Sequence, residues 1–233
     1  MKNILKIVLL VLAVVLSYFI FKSVQGLVEF NKVKIQRYAD AVEQLEDVAN
    51  AERLYKGYHG KYTDNLDSLK QFIEQGKIYI INRTDSSGYV YDASKRIDVM
   101  KNFTVVDTIE SKTSVKDSIF GSRGMQNFGY VPVNGKNVPI KLWTDFNDRV
   151  IGSDSTNIQR DYFFKAWIDK KDALGGLGED YIARELDDET SPVKGDVIQV
   201  GSDRRPSLEG NWSSDIDVAL KDRRMKAMNP NAN

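Results

Sequence analysis

An uncharged apolar segment near the N-terminus constrains the fold of this chain more than any other feature. Residues 7–21 read IVLLVLAVVLSYFIF and contain no charged side chain. Ile4 and Leu5 extend the segment if the ammonium group of Lys6 reaches back to a polar surface, as long lysine side chains do. A helix of about 18 residues would be about 27 Å long, close to the ~30 Å hydrocarbon thickness of a bilayer. The sequence therefore predicts a single membrane-spanning helix, with anchor residues Ile4, Leu5, Ile7, Leu10, Val14, Tyr18 and Phe21.

A cleaved signal peptide is the competing interpretation of this segment. Lys2 and Lys6 would form its positively charged n-region. The residues that follow Phe21, from Lys22 to Gly26, contain no A-x-A-like triplet of small residues. We therefore predict an uncleaved signal anchor rather than a secreted chain.

The flanking charges give only a weak indication of orientation, because lysines lie on both sides of the apolar segment. A short basic N-terminus ahead of a first apolar segment usually stays in the cytoplasm, and long domains are translocated largely regardless of their charge. We expect the body of the chain to lie outside the cytoplasm, in the periplasm or another extracytoplasmic space.

The composition limits what the remaining residues can do. The 33 basic and 33 acidic side chains balance, so the chain has no net basic field that would attract nucleic acid. The absence of cysteine excludes disulfides, thiolate nucleophiles, thiolate zinc sites and lipid attachment through a lipobox cysteine. With 42% hydrophobic residues, a soluble part of about 200 residues is expected to fold, and no cofactor is predicted.

The apolar helix is predicted to continue into the aqueous phase as far as about residue 56, because residues 27–56 contain no proline. Apolar or small residues recur there with a spacing of seven, three, four, three and four, which places them on one helix face. This stripe consists of Val28, Ile35, Tyr38, Val42, Leu45 and Ala49. It can pair with a neighbouring helix in a short coiled coil, or it can pack against the chain's own globular head. We favour the second alternative, because the repeat covers only about three heptads and places Asn31 and Glu52 on the seam.

A turn and a short helix are predicted next. Gly57 and Gly60 can end the long helix, and Leu66 and Leu69 begin the packing face of a new helix that ends at Gly76. The segment 51–69, AERLYKGYHGKYTDNLDSL, resembles the region after the long helix of type IV pilins and type II secretion pseudopilins. The resemblance covers about the first 75 residues and implies an anchored helix with a sheet-containing head. Residues 1–6 lack the glycine of the prepilin cleavage motif, and the apolar segment lacks its glutamate.

The whole chain is also similar to single-span envelope proteins of Bacteroidota. The segments Gln199 to Ser202 and Gly210 to Trp212 contribute to this likeness. The resemblance implies an envelope location and names no activity.

Residues 77–200 are predicted to form a mainly antiparallel β-sheet head, which gives an α+β fold. The predicted strands are rich in β-branched and aromatic residues and lie at 77–81, 103–106, 128–133, 138–142, 162–168 and 196–200. Asn134-Gly135 predicts a type I′ hairpin between two of them. The predicted organisation is an anchor (1–26), the amphipathic helix with its turn and short helix (27–76), the head (77–200) and a polar, loosely ordered tail (201–233).

The sequence contains no pattern that predicts a catalytic or metal-binding residue. His59 is the only histidine, and no Gly-x-Ser-x-Gly motif supplies an activated serine. The acidic residues at 187–189 and the group formed by Asp145, Asn147, Asp148 and Asp154 are interpreted as solvated loops. Calcium binding by the second group is disfavoured, because Val150 stands where an EF-hand loop requires glycine.

The features together predict a non-enzymatic structural or assembly subunit of an envelope complex. Its expected partners are the lipid bilayer and a protein, which is either a different chain or a second copy of this one. The alternative is an anchored accessory domain that binds calcium or a glycan. A carboxylate-dependent hydrolase using Asp145 and Asp148 is the remote third possibility.

Overall fold

A computed structural model describes residues 2–92, 94, 96–150 and 158–228. Helix α1, Lys2–His59, is one continuous helix of 58 residues. Its length is about 87 Å at 1.5 Å per residue. The chain leaves the helix at Gly60, which has a φ of 75° and donates its N–H to the carbonyl oxygen of Lys56 at 2.8 Å. The predicted continuation of the apolar helix to about residue 56 is therefore confirmed.

The elements after α1 alternate between short helices and antiparallel strands, so the α+β class is confirmed. In chain order they are α2 (Leu66–Gln75), β1 (Lys77–Asp92), β2 (Ile97–Ser114), α3 (Val115–Phe120), a 3₁₀ turn (Gly121–Arg123), β3 (Tyr130–Val133), β4 (Lys136–Pro139), β5 (Lys141–Val150), β6 (Ile158–Asp169), α4 (Lys170–Ala173), α5 (Glu179–Asp187), β7 (Val197–Gly201) and α6 (Ser214–Met228). The strands of the described residues belong to three separate antiparallel sheets, β1-β2, β3-β4 and β5-β6-β7, rather than to one.

Residues 1–66 and 127–233 form one compact unit, which we call the head unit. Its three-stranded sheet has β6 in the centre, where Phe164, Ala166 and Ile168 are buried on one face and Phe163 is buried on the other. Ile198 and Val200 of β7 are buried beside them. The alternation of Phe164, Ala166 and Ile168 is expected of a sheet face turned to a core, and the second half of α1 contributes the other apolar surface of the same unit.

The β3-β4 hairpin turns at Asn134 and Gly135, which have φ values of 50° and 74°. Two consecutive residues with positive φ are the requirement of a type I′ turn, so the predicted hairpin is confirmed. The turn is also fixed to α1, since the side chain of Asn134 donates to the Gly175 carbonyl and accepts from Arg37, each at 2.7 Å. Arg37 in addition donates to the Gly175 carbonyl at 2.7 Å.

Residues 67–126 form the second compact unit. It consists largely of a long hairpin in which β1 and β2 pair antiparallel from Tyr79 opposite Glu110 to Asp92 opposite Ile97. Ser114 caps the helix that follows, because its Oγ accepts from the N–H of Asp117 at 3.0 Å. Both strands extend well beyond the predicted runs at 77–81 and 103–106.

Part of the expected C-terminal tail is helical. In α6, Ile216 and Leu220 lie one turn apart and are 0% and 2% exposed. Arg223 forms ion pairs with Asp40 and with Glu43 of α1, the second at 2.5 Å. The loosely ordered tail predicted for 201–233 is thus wrong for residues 214–228, because this helix buries its apolar face in the head unit.

Candidate functional site

The first part of α1 exposes a long, mainly apolar surface. Its described large apolar side chains between Ile4 and Val28 are exposed, from 43% at Val15 to 67% at Ile4. Within the described residues, α1 is the one helix long and apolar enough to cross a membrane. Six of the predicted anchor residues lie on this surface: Ile4, Ile7, Leu10, Val14, Tyr18 and Phe21. The seventh, Leu5, has a side chain that the structure does not describe. Exposure of an apolar surface of this length to water is unfavourable.

The second part of α1 lies in the head unit. Along the predicted stripe, burial increases with distance from the apolar segment: Val28 is exposed, Ile35 is half-buried, and Tyr38, Val42, Leu45 and Ala49 are buried. The last four residues contact the chain's own head and have no surface to offer to a partner helix. The burial of these residues agrees with packing of the stripe against the chain's own head rather than with a coiled coil.

The head begins to contact α1 at Gly26. The rings of Phe30 and Tyr181 stack with their centroids 5.2 Å apart. A Cβ atom at Gly26 would lie 2.6 Å from the hydroxyl oxygen of Tyr181. Helix α5 therefore approaches α1 only a few residues beyond the end of the apolar segment.

Next along α1, five side chains form a buried polar cluster, which we call the clamp: Lys34, Tyr38, Lys170, Glu185 and Ser191. The ammonium of Lys34 donates to Oε2 of Glu185 at 2.7 Å. Oε1 of the same carboxylate accepts from the hydroxyls of Tyr38 at 3.0 Å and Ser191 at 2.5 Å. Lys170 donates to Ser191 Oγ at 3.2 Å and to the carbonyl oxygen of Val193 at 2.6 Å.

The electrostatics of the clamp follow from its burial. Desolvation lowers the pKa of Lys170, and the negative charge of Glu185 partly opposes this change. Desolvation raises the pKa of Tyr38, and the neighbouring Glu185 carboxylate raises it further. Tyr38 consequently remains a neutral hydrogen-bond donor, and Glu185 serves as the acceptor that joins α1 to α5.

The clamp places a lysine beside a serine, which is also the arrangement of a lysine-activated nucleophile. Here Ser191 donates its own proton to Glu185, and it is only 7% exposed, as Lys170 is only 1% exposed. An arrangement closed in this way is suited to holding helices together. Since Lys34 and Tyr38 lie one turn apart on α1, the clamp fixes both the rotation and the axial position of that helix.

A second feature is an open groove of about 490 Å³ in the head unit, which we call the aromatic groove. Arg160 binds Asp148 through two hydrogen bonds of 2.7 and 2.8 Å and lies over the ring of Phe146, 4.2 Å from its centroid. These hydrogen bonds lower the pKa of Asp148. The groove is lined by Tyr55, Lys61, Tyr62, Thr63, Asp64, Thr144, Asp145, Phe146, Arg160 and Tyr162.

One wall of this groove is attached to a buried carboxyl group. Glu52 is 0% exposed, and its Oε2 accepts from the backbone N–H of Thr63 at 3.1 Å. Its Oε1 is buried without a hydrogen-bond partner among the described residues. Burial raises the pKa of Glu52 to about 8, so the group is mostly protonated at neutral pH.

The acidic group predicted to form a solvated loop has a different structure. Asp145, Asn147 and Asp148 lie on strand β5, and Asp154 lies outside the described residues. The described part of the chain contains no group of three or more His, Asp or Glu side chains placed to hold a metal ion. His59 is the last residue of α1, and its ring packs on Tyr55 with centroids 4.2 Å apart.

Sequence reasoning missed the clamp and Glu52 for different reasons. Lys34 and Glu185 are 151 positions apart, so no local pattern relates them. Glu52 was visible as a charged residue on the apolar stripe, which is a signal of a buried acid. No family model, curated protein or solved structure matches this chain.

Proposed function

We propose that this protein is a membrane-anchored assembly subunit, in which α1 spans a bilayer at residues 4–21 and holds the head at the membrane surface. One observation carries the proposal: a single continuous helix exposes apolar side chains along its first part and is clamped into a folded unit along its second. A flexible tether would need none of the buried polar contacts of the clamp.

The spacing along α1 supports a head held close to the bilayer. Gly26 and Phe30 follow Phe21 by five and nine residues, which correspond to about 7 and 14 Å of helix. Phe30 is buried against the head, and Tyr181 brings an amphipathic ring to the same place. Tyrosine favours the interface between water and lipid, so it is well suited to the membrane-proximal end of the head.

The topology that we propose is a single span with the head outside the cytoplasm. The function that best uses a rigid connection between span and head is assembly with other envelope components. A rigid helix presents the head's surfaces at a fixed height and orientation, which reduces the freedom lost on association.

A charge placed in the middle of the apolar segment tests the anchor. Leu12→Arg should cost about 3 kcal/mol of membrane insertion, because arginine is strongly disfavoured at the centre of a spanning helix. The matched control is Gln36→Arg, which adds the same charge at an exposed position of the same helix. We expect the control to remain in the membrane pellet after alkaline carbonate washing and Leu12→Arg to be largely extracted. Extraction of the unaltered protein would contradict the proposal.

Carbohydrate binding is a second candidate function, and the aromatic groove is the observation that favours it. Tyrosine and phenylalanine rings offer apolar faces, and Arg160, Asp145 and Thr144 supply polar groups around them. If the groove binds oligosaccharides, Phe146→Ala should abolish binding that the exposed strand neighbour Val150→Ala retains. A panel of neutral and acidic oligosaccharides that binds neither the unaltered protein nor Val150→Ala would exclude this function.

A further inference from the structure

The β1-β2 hairpin has edges that carry no further strand in the described part of the chain. Each strand pairs only with the other. The hairpin spans Lys77 to Ser114, so each outer edge presents a long row of backbone N–H and C=O groups. Edges of this length are templates for the addition of another strand.

Side chains on the hairpin also favour association. Tyr89, Tyr91 and Met100 are 75%, 62% and 62% exposed, and Val105, Val106 and Ile109 are exposed as well. A two-stranded ribbon is marginally stable by itself, whereas three or more strands with an apolar face are stable. Widening of this sheet beyond β1 by a strand from outside the chain would give Tyr89 and Tyr91 cross-strand neighbours and add the third strand that the ribbon lacks.

The sequence of β1 is partly self-complementary about Thr84, near its midpoint. When two β1 strands pair antiparallel around a two-fold axis, residues equally distant from Thr84 face each other. Arg83 then faces Asp85 of the other copy, and this opposite-charge pair occurs twice. Tyr79 faces Tyr89, and Ile78 faces Val90, so apolar residues also meet apolar residues.

The neighbouring registers are unfavourable. Side chains alternate between the two faces of a strand, and residues opposite each other in an antiparallel pair must point to the same face. The smallest permitted register shift therefore moves the two-fold axis by one residue along β1, to Arg83 or to Asp85. An axis at Arg83 places two guanidinium groups opposite each other, and an axis at Asp85 does the same with two carboxylates. Like charges directly opposite destabilise a strand pair, so the charges of β1 favour the register centred on Thr84 over its two neighbours.

We propose that two copies of this chain associate through the outer edges of their β1 strands, centred on Thr84, to form the four-stranded sheet β2-β1-β1-β2. Residues 77–91 of each copy take part. Arg83, Thr84 and Asp85 are exposed in the single chain and therefore accessible to a second copy. The inference rests on the proposed assembly role and identifies the partner as the same protein.

Single cysteines test the pairing directly, because the chain has no cysteine of its own. In full-length protein reconstituted in lipid vesicles, Thr84→Cys should form a disulfide-linked dimer on mild oxidation, since the two cysteines would face each other. The matched control is Val105→Cys, which faces Thr84 from the other strand of the same hairpin and lies on the opposite edge. Dimer from Thr84→Cys and monomer from Val105→Cys is the expected result.

Three other results would overturn the inference. Monomeric Thr84→Cys would exclude the two-fold pairing of β1, and dimer from Val105→Cys alone would place the interface on β2. Equal dimer from both variants would indicate random collision. Each is distinguishable from failure of the anchor, because the carbonate extraction above reports membrane insertion independently of dimer formation.

Charge reversal tests the register. In the Thr84→Cys background, Arg83→Asp places acidic side chains opposite each other, and Asp85→Arg does the same with basic side chains. Each single variant should lose roughly tenfold in disulfide-linked dimer at limiting protein density, and a mixture of the two should recover it as a mixed dimer. Circular dichroism of each variant checks that it is folded. The register centred on Thr84 would be excluded if neither charge reversal changed the dimer yield. It would also be excluded if the mixture of the two variants recovered no dimer.

Discussion

Glu185 is the residue through which the clamp joins α1 to α5. Its carboxylate accepts hydrogen bonds from the ammonium of Lys34, 2.7 Å away, and from the hydroxyls of Tyr38 and Ser191. Both lysines of the clamp are buried, and Glu185 is the carboxylate that offsets their charge within it. Removal of one member of a buried ion pair is costly because the other remains buried and charged.

We therefore predict that Glu185→Gln, which keeps the shape of the side chain and removes its charge, lowers the free energy of unfolding by about 3 kcal/mol. Glu179→Gln is the control, because Glu179 lies exposed on the same helix, and its substitution should change stability by less than about 0.5 kcal/mol. Urea unfolding of the full chain in a mild detergent measures both. Equal stabilities of the two variants would mean that the clamp contributes little.

Glu52 should make the stability of the head decrease as the pH rises. Its pKa is 4.5 in an unfolded chain and about 8 in the folded one, so below pH 4.5 it is protonated in both states and has no effect. Between these values the unfolded state releases a proton that the folded state retains, so each rise in pH favours unfolding. The full loss, reached above pH 8, is about 5 kcal/mol.

The measurement that checks this is urea unfolding at pH 6 and pH 9. Glu52→Gln should be more stable than the unaltered protein at pH 9, and its stability should depend less on pH over this range. Glu29→Gln, at an exposed position of α1, should keep the original dependence. A pH dependence that survives in Glu52→Gln would assign the effect to another group.

Among the elements, those with a strong local pattern could be predicted from the sequence. Three such features depend on residues close together in the chain: the apolar segment of α1, the packing face of α2 with Leu66 and Leu69, and the turn at Asn134-Gly135. Prediction failed where distant residues decide. Among the described residues of α6, only two apolar side chains are buried. Its arginines bind acidic residues of α1 that lie about 180 positions away in the sequence.

The β1-β2 hairpin shows a related limit. Its central residues, from Asn82 to Gly88, are polar or small, and Asn82, Asp85 and Gly88 belong to types depleted in strands. They are nevertheless paired, because the register set by the apolar ends of both strands continues through them. The sequence predicts strands only at 77–81 and 103–106. Their extension depends on pairing between the two strands, which the pattern of a single strand does not contain.

Helix α6 should detach when its apolar contacts are reduced. Leu220→Ala removes most of a side chain that is only 2% exposed, and we predict a loss of about 3 kcal/mol. Val218→Ala is the control, because Val218 lies on the same helix and is 55% exposed. Limited trypsin digestion should cleave Leu220→Ala within α6, at Lys221 or Arg223, much faster than the control. Unchanged cleavage would show that the ion pairs with α1 hold α6 without its apolar face.

For the whole molecule, we propose that the anchor and the β1 edge act together. A spanning helix confines the chain to the area of a membrane, and confinement raises the effective concentration of one copy around another without any new contact. A weak strand pairing can then be sufficient for assembly in a membrane and insufficient in dilute solution.

We predict that dimer formation by the Thr84→Cys variant depends on its density in the bilayer and not on its concentration in the sample. Diluting vesicles tenfold with buffer should leave the disulfide-linked fraction unchanged, because the lipid-to-protein ratio stays the same. Fusing the vesicles with a tenfold excess of plain lipid should lower that fraction. The same variant in detergent should instead respond to dilution with buffer. Adding Leu12→Arg should remove the dependence on lipid density, because the chain would no longer be confined to the bilayer. A fraction that falls on buffer dilution of intact vesicles would show that association is not a property of the anchored state.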